Sequence, residues 1–387
     1  MEMHFKKLGL VERACPYCLS KDLERVWKYQ FNARTKKTLW EFQVNNVICK
    51  DCGFVFVSPA PSAQDLSDYY FESYVRYDKQ KLDYNPEKRI QFINKNATQK
   101  ELFIEIGSNK QSIFHEKIKN IFGRVITVEL NGGVDSDLQD ISEIPDGEGD
   151  MLAHYFVLEH IPDLSSFLRQ CNRVLKNGGI MICEVPDIAL YSEHLSPLML
   201  HEHVNHFSVK TLIGIAEKYH FRHLNFSHEL CSREFGFAVA FSKQSNTPDD
   251  QKVFCNEYTS NKTYFQKALE KISRFEIEMT KAREVLNKFS SNNRPVIFWG
   301  ANDNLIRFMG SDISMPQNAF IVDSDPAKKS FLFNMTRIYV PDQIEQETIN
   351  RAFFIIFTRL HSRAILDSIR TRFGKTLTDE DFLVLDT

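Results

Sequence analysis

Short apolar runs alternate with amphipathic stretches twice along this chain, first from about residue 97 and again after Pro295. Buried parallel strands read as continuous apolar runs, and each needs a crossover to reach the next. The pattern therefore dictates βαβ units and an α/β fold. In the first series LFIEIG (102–107), RVITVEL (124–130), DMLAHYFV (150–157) and GIMICEVP (179–186) are the expected strands, with FGFAVAFSK (235–243) closing the sheet. LSSFLRQCNRVLKN (164–177) has helical spacing and is expected to stop at Gly178-Gly179. In the second series VIFWGA (296–301), NAFIVDSD (318–325), AFFIIFT (352–358) and DFLVLDT (381–387) are the strands. Between the two, apolar residues from Tyr264 to Leu286 recur at three- and four-residue steps, which predicts one long amphipathic helix to about Phe289.

A chain of 387 residues with this pattern holds two to three domains. Lys and Arg number 48 against 51 Asp and Glu, a net charge of −3, so the whole chain offers no pull toward nucleic acid or an anionic membrane. No window approaches ~18 uninterrupted apolar residues, and MEMHFKKLGLVERACP is too polar for a secretory signal. A soluble, cytoplasmic protein is expected.

Ahead of the first α/β series, Cys15-x-x-Cys18 and Cys49-x-x-Cys52 form two pairs separated by thirty residues. Four thiolates in two such knuckles can surround Zn2+ tetrahedrally, and Gly53 suits the tight turn of the second. A closed four-sulfur site leaves no open position for water, so this zinc is structural. Basic residues between the pairs, among them Lys21, Arg25 and Lys28, are interrupted by Glu24 and Glu41, which disfavours a nucleic-acid-binding ribbon. Cys171, Cys183, Cys231 and Cys255 are scattered and read as core residues.

Glu105-Ile-Gly107-Ser108-Asn109 follows an apolar strand and precedes a helix, so backbone amides at that turn can approach a ligand at the carboxyl edge of the sheet. Glu129 ends the next strand, where an acid accepts hydrogen bonds from ribose hydroxyls. The order fits a dinucleotide or a nucleoside cofactor.

Two longer stretches, DMLAHYFVLEHIPD (150–163) and VLKNGGIMICEVPD (174–187), resemble the fourth strand, following helix and fifth strand of class I S-adenosylmethionine-dependent methyltransferases. With CKDCGFVFVSPAPS in front and a second α/β series behind, the layout is similar to zinc-containing nucleotide-sugar C-methyltransferases. The resemblance implies a Rossmann-like methyltransferase domain and a second, C-terminal Rossmann-like domain. It implies that Glu105, Gly107, Ser108 and Glu129 hold S-adenosylmethionine, with Asp140 at the adenine. The usual loop reads E-x-G-S-N-D-G, and Lys110 and Gln111 replace its last two residues. The tyrosines that line the sugar site would be Tyr70, Tyr74 and Tyr77.

Residues 201–208, His-Glu-His-Val-Asn-His-Phe-Ser, crowd three histidines and a glutamate into six positions but lack H-E-x-x-H spacing. They resemble the Y-x-E-H-x-x-Y-F-S loop of the same methyltransferases, with Leu200 and His206 in place of aromatic residues. Methylation of carbon beside a ketone requires removal of an α-proton. His203 would be the base, Glu202 its support, and His160 would polarise the sugar oxygen. A hydroxyl or amine acceptor would use the same base, and a catalytically silent binding or assembly protein with an altered loop remains open. In the second series VIFWGAND lacks G-x-G-x-x-G, which argues against NAD. Asp323, at a strand end, would be the polar residue nearest a substrate nucleotide.

The expected organisation is a zinc-binding module (1–62), a tyrosine-rich bridge (63–96), a class I methyltransferase-like domain (97–245), a long connecting helix (246–290) and a C-terminal α/β domain (291–387). The expected partner is a small molecule, a nucleotide sugar, and oligomeric state is not readable.

Overall fold

The structure is a computed structural model and describes residues 4–34, 38–74, 85–108, 112–129, 135–245, 256–309, 317–326, 328, 332–333, 336–358 and 361–385. Its centre is a six-stranded sheet in the order Phe221–Ser227, Gly236–Lys243, Leu175–Pro186, Gly149–Tyr155, Leu102–Ile106, Arg124–Val128. The last four are mutually parallel, and Gly236–Lys243 runs antiparallel between its two neighbours. Alternate residues of these strands feed two separate cores. Leu102, Ile104 and Ile106 enter one, with Leu152 and Cys183, and Phe103 enters the other, with Met151 and Ile182. Cys171, Cys183 and Cys231 are buried in these cores, as the sequence suggests, and Cys255 lies outside the described residues.

Three details depart from the sequence reading. The helix after the third expected strand ends at Val174, four residues before the glycine pair. Leu175 pairs with Gly149, the register then breaks, and pairing resumes at Ile180 with Met151. Sheet hydrogen bonding thus overrides the helical pattern, and Gly178 (φ +76°) sits in the break. Phe221–Ser227 is an additional edge strand whose residues alternate between half-buried and exposed after the first. Among the described residues, Leu138 meets Val128 in an isolated parallel bridge at the other edge of the sheet.

A second sheet occupies the C-terminal part, in the order Leu332–Phe333, Thr336–Tyr339, Ala319–Val322, Val296–Trp299, Phe353–Ile356, Phe382–Val384, parallel except for the antiparallel pairing of its first two strands. At the other end Leu23–Arg34 and Thr38–Cys49 form a long antiparallel pair. Their five-stranded sheet includes Asn205–His206, which pairs antiparallel with Val55–Val57. The N-terminal segment is therefore completed by a strand from the middle of the chain.

The predicted long helix runs Tyr258–Ser291, about 50 Å. Its start is fastened to the second cysteine knuckle: Glu257 N–H donates to the Cys52 carbonyl at 3.1 Å and Asn261 Nδ2 to the Gly53 carbonyl at 2.9 Å. Its apolar stripe shares one core with Ile48, Val55 and Ile188, and with Phe298, Phe308 and Phe353 of the C-terminal sheet. No helix among the described residues is long and apolar enough to cross a membrane.

Candidate active site

The strand Gly149–Tyr155 ends in Phe156, whose φ of +56° is unusual for an aromatic residue and costs about 1–2 kcal/mol. That turn re-aims the chain so that Val157 packs beside Gly107 and the short 3-10 segment Leu158–His160 stands over the carboxyl edge of the sheet. Gly107 itself has φ +79°, and a Cβ there would approach Val157 Cγ2 to 2.7 Å. The position needs glycine twice over, for its backbone and for its space. Glu105, nearly buried at the end of its strand, and half-buried Ser108 and Glu129 flank this turn. The bare glycine cradle beside an acidic strand end fits a nucleoside cofactor. Asp140 is exposed, and its carboxylate accepts the Ser142 N–H at 2.8 Å as the cap of a 3-10 turn. Lys110 and Gln111 lie outside the described residues.

The helix Ala63–Tyr74 brings Tyr70 to the same edge, where its hydroxyl lies 2.9 Å from His160 Nδ1. The Glu202 carbonyl also faces the His160 ring, and the tautomer of that ring sets which of Tyr70 and Nδ1 is the donor. His203 stands edge-on to His160, with ring centroids 4.7 Å apart. The Pro197 carbonyl faces the ring, and Nδ1 has no hydrogen-bond partner among the described residues. Burial holds His160 down to about 4 and pushes His203 well below the ordinary histidine range. Both rings are neutral at physiological pH. Tyr74 ends its helix, but its side chain and the whole of Tyr77 fall outside the described residues.

The other two histidines of the cluster are structural. His201 Nε2 lies 3.0 Å from the Tyr69 hydroxyl, and its ring stacks on Phe31. His206 Nε2 lies 2.8 Å from Asn46 Oδ1, its Nδ1 2.9 Å from the Tyr191 hydroxyl, and burial holds it down to about 3. The Glu202 carboxylate is 3.7 Å from His201 Nε2, so the structure sets it beside His201. The carboxyl group grouped with His160 and His203 is instead Glu159, whose candidate ligand atom lies within 4.8 Å of one on each ring. Its only sequence signal was an acid next to His160 in a segment with no nearby cation. Arg13 was also missed. It donates to the carbonyls of Val57, Val204 and Pro162 and to Asn205 Oδ1, over 2.8–3.2 Å, and so pins three segments around the site. Nothing local in the sequence signals contacts to residues 149 to 192 positions away.

Asp323 is buried at the end of its strand, and its carboxylate is engaged within its own domain. It accepts from Ala301 N–H (2.8 Å), Asp325 N–H (2.9 Å) and Lys328 Nζ (2.9 Å). The four paired cysteines converge: Cys15 and Cys52 sulfurs are 3.5 Å apart, Cys18 and Cys49 sulfurs 3.4 Å. Tetrahedral sulfurs around zinc at ~2.3 Å would stand ~3.8 Å apart, so donor set and spacing fit. Backbone hydrogen bonds from Leu19 N–H to Cys15 and from Gly53 N–H to Cys49, both 2.8 Å, close the knuckles.

Residues 110–183, which span the helix, strands and histidine turn just described, match the family described as "Methyltransferase domain". Residues 110–183 are thus similar to a methyltransferase domain, which supports S-adenosylmethionine-dependent methyl transfer as the activity. Among solved structures, an S-adenosylmethionine-dependent methyltransferase from Mesorhizobium loti is 11% identical, over 41% of this chain and 96% of that one, with TM-score 0.33. One from Methanosarcina mazei is 13% identical over 40% and 98%, with TM-score 0.34. The 1,6-didemethyltoxoflavin-N1-methyltransferase of Burkholderia thailandensis, bound to 1,6-didemethyltoxoflavin and S-adenosylhomocysteine, is 12% identical over 50% and 96%, with TM-score 0.36. Likenesses of that size carry no reading of this chain's acceptor. No curated protein matches the chain.

Proposed function

We propose that the chain transfers methyl to carbon beside a ketone in a nucleotide-linked sugar or related glycan precursor. The observation that carries the proposal is the Tyr70–His160–His203 constellation, held at the sheet edge that also bears the Gly107 turn. Glu105, Gly107, Ser108 and Glu129 would hold S-adenosylmethionine, which when bound supplies an electrophilic methyl group. Zinc at the four cysteines would serve only as a cross-link, and the C-terminal sheet would be a second Rossmann-like domain packing over the cleft. His203 Nδ1, whose lone pair no described residue claims, takes the α-proton. The Pro197 carbonyl facing the ring favours the tautomer with its proton on Nε2. His160 and Tyr70, the outer members of the constellation, orient the ketone oxygen. Burial of both rings excludes water from the enolate.

The test is calorimetric titration with S-adenosylhomocysteine, with zinc quantified on the same sample. Binding with one zinc per chain is expected. Incubation with keto and non-keto nucleotide sugars should give a mass gain of one methyl group only with the keto sugar, and His203→Asn should abolish it. Methylation of a non-keto sugar would mean an oxygen or nitrogen acceptor. No S-adenosylhomocysteine binding at millimolar ligand would remove the reading altogether.

A further inference from the structure

A histidine buried as deeply as His203 is by itself a poor base. Accepting a proton makes an imidazolium in a site that penalises charge, and the nearby Arg233 guanidinium opposes it further. Something must offset that charge, and Glu202, set beside His201, is not grouped with the ring.

Glu159 is 1% exposed, and neither carboxyl oxygen has a hydrogen-bond partner among the described residues. Buried polar atoms are rarely left so, and here a Glu159 oxygen lies within 4.8 Å of a ring nitrogen of His203, whose Nδ1 is likewise without a partner among the described residues. The groups that face Glu159 electrostatically are Arg233, which favours its anion, and Glu184 of the neighbouring strand, which opposes it. Burial outweighs both and raises the carboxyl to about 8. Two groups that each resist ionising alone can share one proton at little cost, because the charge of one cancels the charge of the other.

The geometry points to Glu159 as the positioning residue of the proton-abstraction step, coupled to His203 so that the pair, not the imidazole alone, is the base. The inference rests on the methyl-transfer reading above. In the reaction the acceptor C–H bond breaks and its electron pair stays on carbon as the enolate. The step starts from the form in which Glu159 has lost its own proton to solvent; the substrate proton then goes to Nδ1 of His203, and the Glu159 carboxylate balances the imidazolium. Without Glu159 the same step would leave an uncompensated buried cation.

The pair can be read without knowing the acceptor. Full-length chain labelled with 15N-histidine would be titrated by NMR, with the His203 ring signals identified by their loss in His203→Asn. A shift of the His203 ring signals as Glu159 ionises, near pH 8, is expected in the native chain. It should vanish in Glu159→Gln, which keeps shape and burial but cannot ionise, and return in Glu159→Asp. An unchanged His203 titration in Glu159→Gln would overturn the proposal. So would a second metal equivalent per chain, beyond the cysteine site, that Glu159→Gln removes, because a metal would then claim those lone pairs. S-adenosylhomocysteine binding measured on the same native sample separates the outcomes. Its absence removes the methyl-transfer reading, while the titration alone decides the pair.

Discussion

Single side chains set the chemistry here through what burial does to them. His154, next to last in the strand Gly149–Tyr155, is fully buried, is held down to about 3 by burial alone, and finds no partner for either ring nitrogen among the described residues. A neutral imidazole there carries a donor with nowhere to go, so His154→Leu should stabilise the chain by about 1 kcal/mol in urea unfolding. A loss of stability would show that His154 has a hydrogen-bonding role in solution. Gly107 works in the other direction. With φ at +79° and Val157 at 2.7 Å from any added Cβ, Gly107→Ala should cost about 1–3 kcal/mol and weaken S-adenosylhomocysteine binding at least ~10-fold by calorimetry. Native-like affinity in that variant would mean the cofactor does not use the turn.

At the scale of elements, segments that are far apart in sequence stabilise one another around the site. Arg13 is the clearest case: its guanidinium ties Val57, Pro162 and Val204 together, and although burial lowers it to about 10 it remains charged at neutral pH. Arg13→Met keeps much of the apolar stem and strands three carbonyls, so a loss of about 2–4 kcal/mol in urea unfolding is expected, with His160 and His203 ring signals shifted. The long helix depends similarly on the second knuckle. A Cβ at Gly53 would lie 2.2 Å from the Glu257 carbonyl carbon, where that helix begins, and φ at Gly53 is +79°. Gly53→Ala should therefore loosen helix and knuckle together, read as faster proteolysis near residue 257 and reduced zinc content. Retention of both would show that the two elements are independent.

For the molecule as a whole, the buried titratable groups set the pH range of stability. His154, His160 and His206 are held down to about 3, about 4 and about 3, and His203 is lowered as well. Unfolded histidine titrates near ~6.5, so below that pH the unfolded chain binds protons that the native chain refuses. Their contribution is complete above ~6.5 and is lost as pH falls toward 4. Glu159, raised to about 8, has the opposite sign: the native carboxyl keeps a proton that the unfolded one loses above ~4.5, so its contribution fades as pH rises toward 8. Four histidines outweigh one carboxyl on the acid side and the carboxyl decides the alkaline side. Thermal unfolding midpoints should peak near pH 6.5–7 and fall more steeply toward acid. A flat profile from pH 4.5 to 6.5 would mean that these rings are hydrated in solution.

The sequence by itself determined the two α/β series, the long helix, the convergence of four cysteines and the Gly107 turn. Each of these is written in local signals: apolar runs, three- and four-residue spacing, C-x-x-C, and glycine after a strand. The pairing of His160 with His203 could be anticipated only through family likeness. Which acid joins them was decided by tertiary structure, because Glu202 and Glu159 look equally suitable as letters and differ only in what surrounds them. The same holds for Arg13 and for the strand Asn205–His206 that completes the N-terminal sheet. Secondary structure follows from interactions within a few residues, which the chain spells out in order. Burial, and with it protonation state, follows from contacts between distant segments, which exist only once the chain has closed on itself.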